Sequence, residues 1–82
     1  FRGLALVYRD LNLPDQALEA VNLALKAAPD NPELFYLKAQ ILRKKKNYDQ
    51  ALRLFDQALE KQEQLPADVV KQINRERRQV QA

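Results

Sequence analysis

The tetrapeptide DQAL occurs at residues 15–18 and again at 49–52, which is 34 residues later. When the sequence is aligned with itself at this offset, small and large apolar residues coincide well beyond the tetrapeptide. The matched pairs include Ala17 with Ala51, Val21 with Phe55, Ala24 with Ala58 and Leu25 with Leu59. Because a period of roughly 20–50 residues is typical of stacked supersecondary units, the sequence predicts a repeat architecture.

Each repeat unit shows the apolar spacing of amphipathic helices. Phe35, Ala39 and Leu42 recur at i, i+4 and i+7, and residues 51–59 follow the same rule. Prolines mark the boundaries between helices, since proline suits the first turn of a helix and cannot continue one. We therefore predict five helices, at residues 1–11, 14–28, 32–46, 48–63 and 66–80.

Two of these helices begin with a capping signal. Asn31 directly precedes Pro32 and is a favourable N-cap residue. Asn47 precedes the helix at 48–63 and is followed three residues later by Gln50, as in a capping box. We expect both asparagine side chains to accept hydrogen bonds from backbone N–H groups of the first helical turn.

The composition excludes most kinds of enzyme. The 82 residues include no Cys and no His, which removes thiolate nucleophiles and metal sites as well as the commonest general base. We therefore predict no enzymatic activity, no cofactor, no metal and no small-molecule substrate. No apolar run is long enough to span a membrane. Because the chain begins with Phe1 rather than Met, we expect a piece of a longer protein and leave its compartment open.

Helical hairpins of 34 residues with this pattern of large and small apolar residues resemble the tetratricopeptide repeat. The second unit matches that family at Phe35, Ala39, Leu42, Tyr48, Ala51, Phe55 and Ala58. The first unit matches it at Phe1, Leu4, Ala5, Tyr8, Ala17, Val21, Ala24 and Pro29. The resemblance implies an all-α fold, a right-handed α-solenoid of antiparallel helical hairpins. We expect the aromatic residues of this pattern, including Tyr48, to lie in the core.

The resemblance also implies how the single domain at 1–82 is divided. The parts are a first repeat at 1–31, truncated at its N-terminus, a second repeat at 32–65 and a capping helix at 66–82. The last segment keeps Val69, Ile73 and Val80 on one side and is polar elsewhere. A solenoid end needs such a helix, because the last hairpin exposes an apolar surface that must be covered.

Small residues and turn residues give two further expectations. Alanines at positions 5, 17, 39 and 51 are expected where the helices of each hairpin cross closely. The glycine that the family uses in its turn is replaced by Asn12 in the first unit and by Lys46 in the second. Asn tolerates left-handed backbone more readily than Lys does.

In the family, the first helix of each hairpin lines a concave groove that receives a peptide or a partner's helix. The positions of this sequence that match the groove are Arg2, Leu6, Arg9, Asp10, Glu33, Tyr36, Gln40, Arg43, Lys44, Val70, Asn74, Arg77 and Arg78. This set has more positively than negatively charged side chains, with four cations expected near one end of the groove. A groove of this kind favours acidic side chains or a terminal carboxylate, because guanidinium groups match carboxylates in geometry.

The sequence thus predicts a module for protein–protein interaction, with a protein or peptide as partner. One alternative is a structural module that forms homo-oligomers through an exposed first hairpin. Another is a nucleic-acid binder of the helical-repeat type. The second alternative is disfavoured, because two repeats with a net charge of +3 make a weak electrostatic footprint for nucleic acid.

Overall fold

A computed structural model describes residues 2–81 of the chain, with the side chains of residues 3–80. The helices are α1 (Arg2–Asp10), α2 (Pro14–Ala27), α3 (Pro32–Lys44), α4 (Tyr48–Glu60) and α5 (Ala67–Gln81), and a short 3-10 turn at Gln62–Gln64 precedes α5. The predicted all-α fold with five helices is confirmed for this part of the chain. The repeat position predicted for Phe1 lies outside the described residues.

The helices form two stacked hairpins and a fifth helix. α1 pairs with α2 and α3 pairs with α4, while α2 packs on α3 and α4 packs on α5. Ala5, Ala17, Ala39 and Ala51 are all completely buried, as the small-residue pattern predicts. Two apolar clusters result, one shared by α1, α2 and α3 and the other by α3, α4 and α5. Since α3 contributes to both clusters, it holds the two hairpins in register.

The two capping predictions have different outcomes. The Asn31 side chain accepts a hydrogen bond from the Glu33 backbone N–H at 3.0 Å, which confirms the first. The capping box at Asn47 is wrong, because its side chain makes no cap hydrogen bond and instead donates to Gln50 Oε1 at 3.0 Å. The Asn47 backbone N–H, which a capping box would use, already donates to the Leu42 carbonyl at 2.9 Å.

The turn between the helices of each hairpin uses left-handed backbone at Asn12 (φ 60°) and Lys46 (φ 64°). In both turns the next residue donates its N–H to a carbonyl five residues back, from Leu13 to Tyr8 and from Asn47 to Leu42. This is the Schellman arrangement of a helix C-terminus. The missing turn glycines therefore leave the geometry unchanged, at the energetic cost of a side chain in the left-handed region.

Replacing Lys46 with glycine is expected to stabilise the protein. The left-handed conformation costs a residue with a Cβ atom about 1 kcal/mol or more relative to glycine, and the Lys46 side chain is exposed. Urea unfolding should show a gain of about 1 kcal/mol for Lys46→Gly. Lys46→Ala is the matched control, because alanine removes the same side chain but keeps a Cβ atom in the left-handed region. Equal effects of the two substitutions would contradict the proposed strain.

Tyr48 does not lie in the core, so the prediction for this residue is wrong. The residue is 46% exposed, although the family pattern places a buried aromatic residue there. The reason is its location, because Tyr48 begins α4 at the turn end of the hairpin and α3 has already ended at Lys44. The helix predicted at 48–63 is likewise shorter, since the chain passes into the 3-10 turn after Glu60.

The fifth helix packs through a different face from that of α3. In α3, Leu37 and Ile41 are buried against the first hairpin, in the cluster that includes residues of α2. The residues 34 positions later are Lys71 and Arg75, and both are exposed. Burying two unpaired cations against α4 would be costly. α5 instead buries Ile73 in the second cluster and turns a polar face to solvent.

Within the described residues, none of the helices has both the length and the apolar character needed to cross a bilayer.

Candidate functional site

Residues of α1, α3 and α5, the alternate helices of the stack, line one surface, which we call the concave surface after the groove predicted from the sequence. A cavity of about 370 Å³ on this surface is lined by Arg9, Gln40, Arg43, Lys44 and Glu76. Four of these residues belong to the groove predicted from the sequence. Glu76, on α5, is the one that the prediction missed.

A chain of side-chain hydrogen bonds joins the three helices, with Gln40 at its centre. Arg9 Nη1 donates to Gln40 Oε1 at 2.7 Å, which links α1 to α3. Gln40 Nε2 donates to the Tyr36 hydroxyl at 2.9 Å and lies 3.3 Å from Glu76 Oε1. Arg43 Nη1 donates to the same Glu76 oxygen at 3.0 Å, which links α3 to α5. The network fixes the side chains of the cavity before any partner arrives.

The cavity holds three cations and one carboxylate. Arg43 pairs with Glu76, whose side chain is only 14% exposed, and Arg9 pairs with Asp10 at 3.2 Å. Lys44 Nζ donates to the Arg9 backbone carbonyl at 3.1 Å, and none of the described carboxylates pairs with it. Lys44 is therefore the cation whose charge is least compensated, and it is exposed.

A second cavity of about 300 Å³ adjoins the first and shares Arg9 and Gln40 with it. Its remaining lining is largely apolar. The other residues around it are Leu6, Glu33, Tyr36, Leu37, Pro66 and Val69. The concave surface thus places a cationic hollow beside an apolar one.

Tyr36 has an unusual electrostatic environment on this surface. Its burial raises the pKa of the hydroxyl, and a hydrogen bond to the Glu76 carboxylate together with the negative charge of that group raises the pKa further. The positive charges of Arg9 and Arg43 act in the opposite direction and do not cancel these effects. The neutral hydroxyl is therefore the form that the fold stabilises.

This pKa shift predicts a loss of stability in alkali. Below pH 10 the hydroxyl is protonated in both the folded and unfolded chains, and as the pH rises further the unfolded chain ionises first. The ultraviolet titration of Tyr36→Phe, subtracted from that of the original protein, should give a step above pH 10. In Glu76→Gln the same step should move towards pH 10. A step centred at or below pH 10 in the original protein would contradict the assigned environment.

The groove residues predicted on α5 do not join the concave cavities. Arg77 Nε lies 2.9 Å from Asp56 Oδ1 on α4, and Val70 packs against the second apolar cluster. Asn74 and Arg78 line a separate surface hollow with other α5 residues. The reason is the face through which α5 packs, which differs from that of α3. The side chain of Arg2, also predicted for the groove, lies outside the described side chains.

A signal for Glu76 was present in the sequence. Val69, Ile73 and Val80 define the face of α5 that packs on the rest of the fold, and position 76 falls on that same face. A carboxylate within an apolar stripe needs a partner, because an unpaired buried charge is costly. Arg43 of α3 is that partner.

The fold and the site define a helical-repeat protein whose concave face carries a preformed polar network. The model of the tetratricopeptide repeat family matches residues 2–67, so the chain belongs to that family. Comparisons with curated proteins and with solved structures gave no match. Tetratricopeptide repeats form helical solenoids, generally mediate protein–protein interactions and are typically non-catalytic.

Proposed function

We propose that this domain binds an acidic segment of a protein partner on its concave surface. The observation that carries the proposal is the cavity in which Arg9, Arg43 and Lys44 surround a single carboxylate, that of Glu76. Glu76 is held by Arg43 and Gln40, so an excess of positive charge is left on the side facing solvent. Charge-assisted hydrogen bonds to guanidinium groups are among the stronger polar contacts available to a carboxylate.

The neighbouring apolar cavity adds a second requirement for the partner. Because the two cavities share Arg9 and Gln40, a bound segment that enters one passes directly beside the other. Leu6 and Val69 are partly exposed and offer apolar surface there, beside the buried Leu37. The segment that fits best carries an acidic residue next to a large apolar one, whose burial supplies affinity that exposed ion pairs alone do not.

The test compares two substitutions that make the same charge change on different faces. Lys44→Glu reverses the least compensated cation of the cavity, whereas Lys71→Glu reverses an exposed cation on the outer face of α5. Short peptides that contain Asp-Leu or Glu-Phe, each paired with its Asn or Gln counterpart, serve as fluorescent probes. We expect Lys44→Glu to weaken binding of the acidic peptides about tenfold, which corresponds to about 1.4 kcal/mol. Lys71→Glu should change it less than about twofold.

A pull-down from nuclease-treated lysate then identifies the partner. Proteins retained by the original domain and by Lys71→Glu, but lost with Lys44→Glu, are the expected class. The proposal fails if the acidic peptides bind no better than their amide counterparts at low salt. It also fails if the two charge reversals weaken binding equally, since the effect would then reflect net charge alone.

A further inference from the structure

A second groove lies between α1 and α2, on the other side of α1 from the concave surface. Its cavity of about 160 Å³ is lined by Leu4, Tyr8, Gln16, Glu19, Ala20 and Leu23. None of these residues lines either concave cavity. Leu4 and Leu6 are two positions apart on α1 and therefore point about 200° apart around the helix. The α1–α2 groove is thus a separate surface.

The second hairpin provides an internal comparison for this groove. A cavity of about 270 Å³ between α3 and α4 is lined by Lys38, Leu42, Gln50, Arg53, Leu54 and Gln57. Each of these six residues lies 34 positions after one of the six in the α1–α2 groove. Leu4 is replaced by Lys38, Leu23 by Gln57 and Glu19 by Arg53. The hairpin therefore accepts polar residues at these positions, and its packing does not require Leu4 and Leu23.

The stacking of a neighbouring repeat does not explain the apolar lining of the α1–α2 groove. None of the described side chains of α1 or α2 lines the α3–α4 cavity, although α2 packs directly on α3. A hairpin stacked in the same way on α1 would leave the α1–α2 groove open. Val7 behaves differently, because it is 52% exposed while its counterpart Ile41 is completely buried against the first hairpin. Stacking would thus cover Val7, whereas Leu4 and Leu23 would stay exposed.

The groove combines apolar surface with one uncompensated charge. Leu4 is 49% exposed and Leu23 is 38% exposed, so both lose water contact when an apolar group lies between them. The groove is open to solvent, and its cavity of about 160 Å³ has room for one large side chain. Glu19 is exposed, and none of the described side chains forms an ion pair with it. Its counterpart in the second hairpin has the opposite charge.

We propose that the α1–α2 groove docks a segment of another protein that inserts one large apolar side chain between Leu4 and Leu23. The same segment places a Lys or Arg against Glu19. Charge complementarity selects this occupant, because the unpaired carboxylate favours a cation beside the inserted apolar group. The domain then has two binding surfaces of opposite preference, with acidic partners on the concave face and a basic amphipathic segment on the α1–α2 groove.

The test exchanges the residues of the two hairpins. The variant with Leu4→Lys and Leu23→Gln gives the first groove the polar residues that the second hairpin already tolerates. The variant with Lys38→Leu and Gln57→Leu makes the reverse change, and Glu19→Arg reverses the charge alone. The probes are two alanine-based helical peptides of about 16 residues, each with Leu and Phe on one face. One carries Lys beside them and the other carries Glu at the same position.

Amide chemical-shift mapping by nuclear magnetic resonance gives the site and the dissociation constant. We expect the Lys peptide to shift residues of the α1–α2 groove and, as measured from the shifts of those residues, to bind there about three to five times more tightly than the Glu peptide. The double polar variant should bind at least about tenfold more weakly. Glu19→Arg should reverse the order of the two peptides. The variant with Lys38→Leu and Gln57→Leu should gain a second site that prefers the Glu peptide, because Arg53 lies at the position that corresponds to Glu19. The spectra of the free variants verify that each is folded.

Three results would overturn the proposal. The first is a set of shifts confined to the concave surface or absent from the groove. The second is an unchanged peptide order in Glu19→Arg. The third is concentration-dependent dimerisation of the original protein, seen by sedimentation and abolished in the double polar variant. In that case the occupant of the groove would be a second copy of this chain.

Discussion

Phe55→Ala is expected to cost about 3–5 kcal/mol of unfolding free energy, the range for truncating a buried aromatic residue. Phe55 is completely buried in the cluster shared by α3, α4 and α5. Its neighbours there include Ala39, Ala51 and Ala58, which are too small to fill the space that the ring would leave. A domain of this size has a total stability of about 4–12 kcal/mol, so the substitution removes a large share of it.

Urea unfolding followed by circular dichroism measures this loss, and Phe35→Ala is the matched control. Phe35 packs against the same cluster but is only partly buried, so its truncation should cost clearly less. The Phe55 ring also lies 6.2 Å from that of Tyr36, so the variant should disturb the concave surface as well. A loss below about 1 kcal/mol for Phe55→Ala would contradict the observed core.

The hairpins were predictable because local and long-range signals agree. The apolar spacing defined α1 to α4, and the alanines at helix crossings defined how the helices pair. The sequence did not show which of two possible hydrogen bonds the Asn47 N–H would make. Asn47 carries a favourable capping sequence, but its N–H is already used by the turn that ends α3. A capping motif describes one helix end, whereas this residue serves two.

The candidate site was also predictable only in part. Arg9, Gln40, Arg43 and Lys44 line one cavity, because α1 and α3 each pack on the second helix of their own hairpin through equivalent alanines, Ala5 and Ala39. The family pattern fails on α5, where cations replace the apolar residues that α3 buries at positions 37 and 41. The face through which α5 packs instead depends on how Ile73 fits against α4 and on the pairing of Glu76 with Arg43. These are tertiary contacts, which no single repeat encodes.

The dependence of the site on α5 has an energetic consequence. Arg43 and Gln40 belong to α3, and their shared partner Glu76 belongs to α5. α5 packs on the rest of the fold through a smaller interface than α3 does. Elements with few buried contacts open at lower free energy than the rest of a domain. The cationic cavity therefore loses its carboxylate, and becomes more positive, whenever α5 detaches.

Ile73→Ala is expected to destabilise α5 by about 2–5 kcal/mol while leaving the two hairpins folded. Among the described residues of α5, Ile73 alone is completely buried. Losing that contact removes the main apolar attachment of the helix, so the effect should appear as local opening rather than global unfolding. Hydrogen exchange should show lost protection in α5 and retained protection in α2, α3 and α4.

The same variant tests the electrostatic role of α5 in the site. When α5 opens, Glu76 leaves Tyr36, so the alkaline titration step of Tyr36 should move towards its ordinary value near pH 10. Arg75→Ala is the control, because Arg75 is exposed on the outer face of the same helix and its loss should cost no more than about 0.5 kcal/mol. Equal loss of protection in all the helices of Ile73→Ala would show instead that α5 and the hairpins unfold as one unit, and the cavity would then always retain its carboxylate.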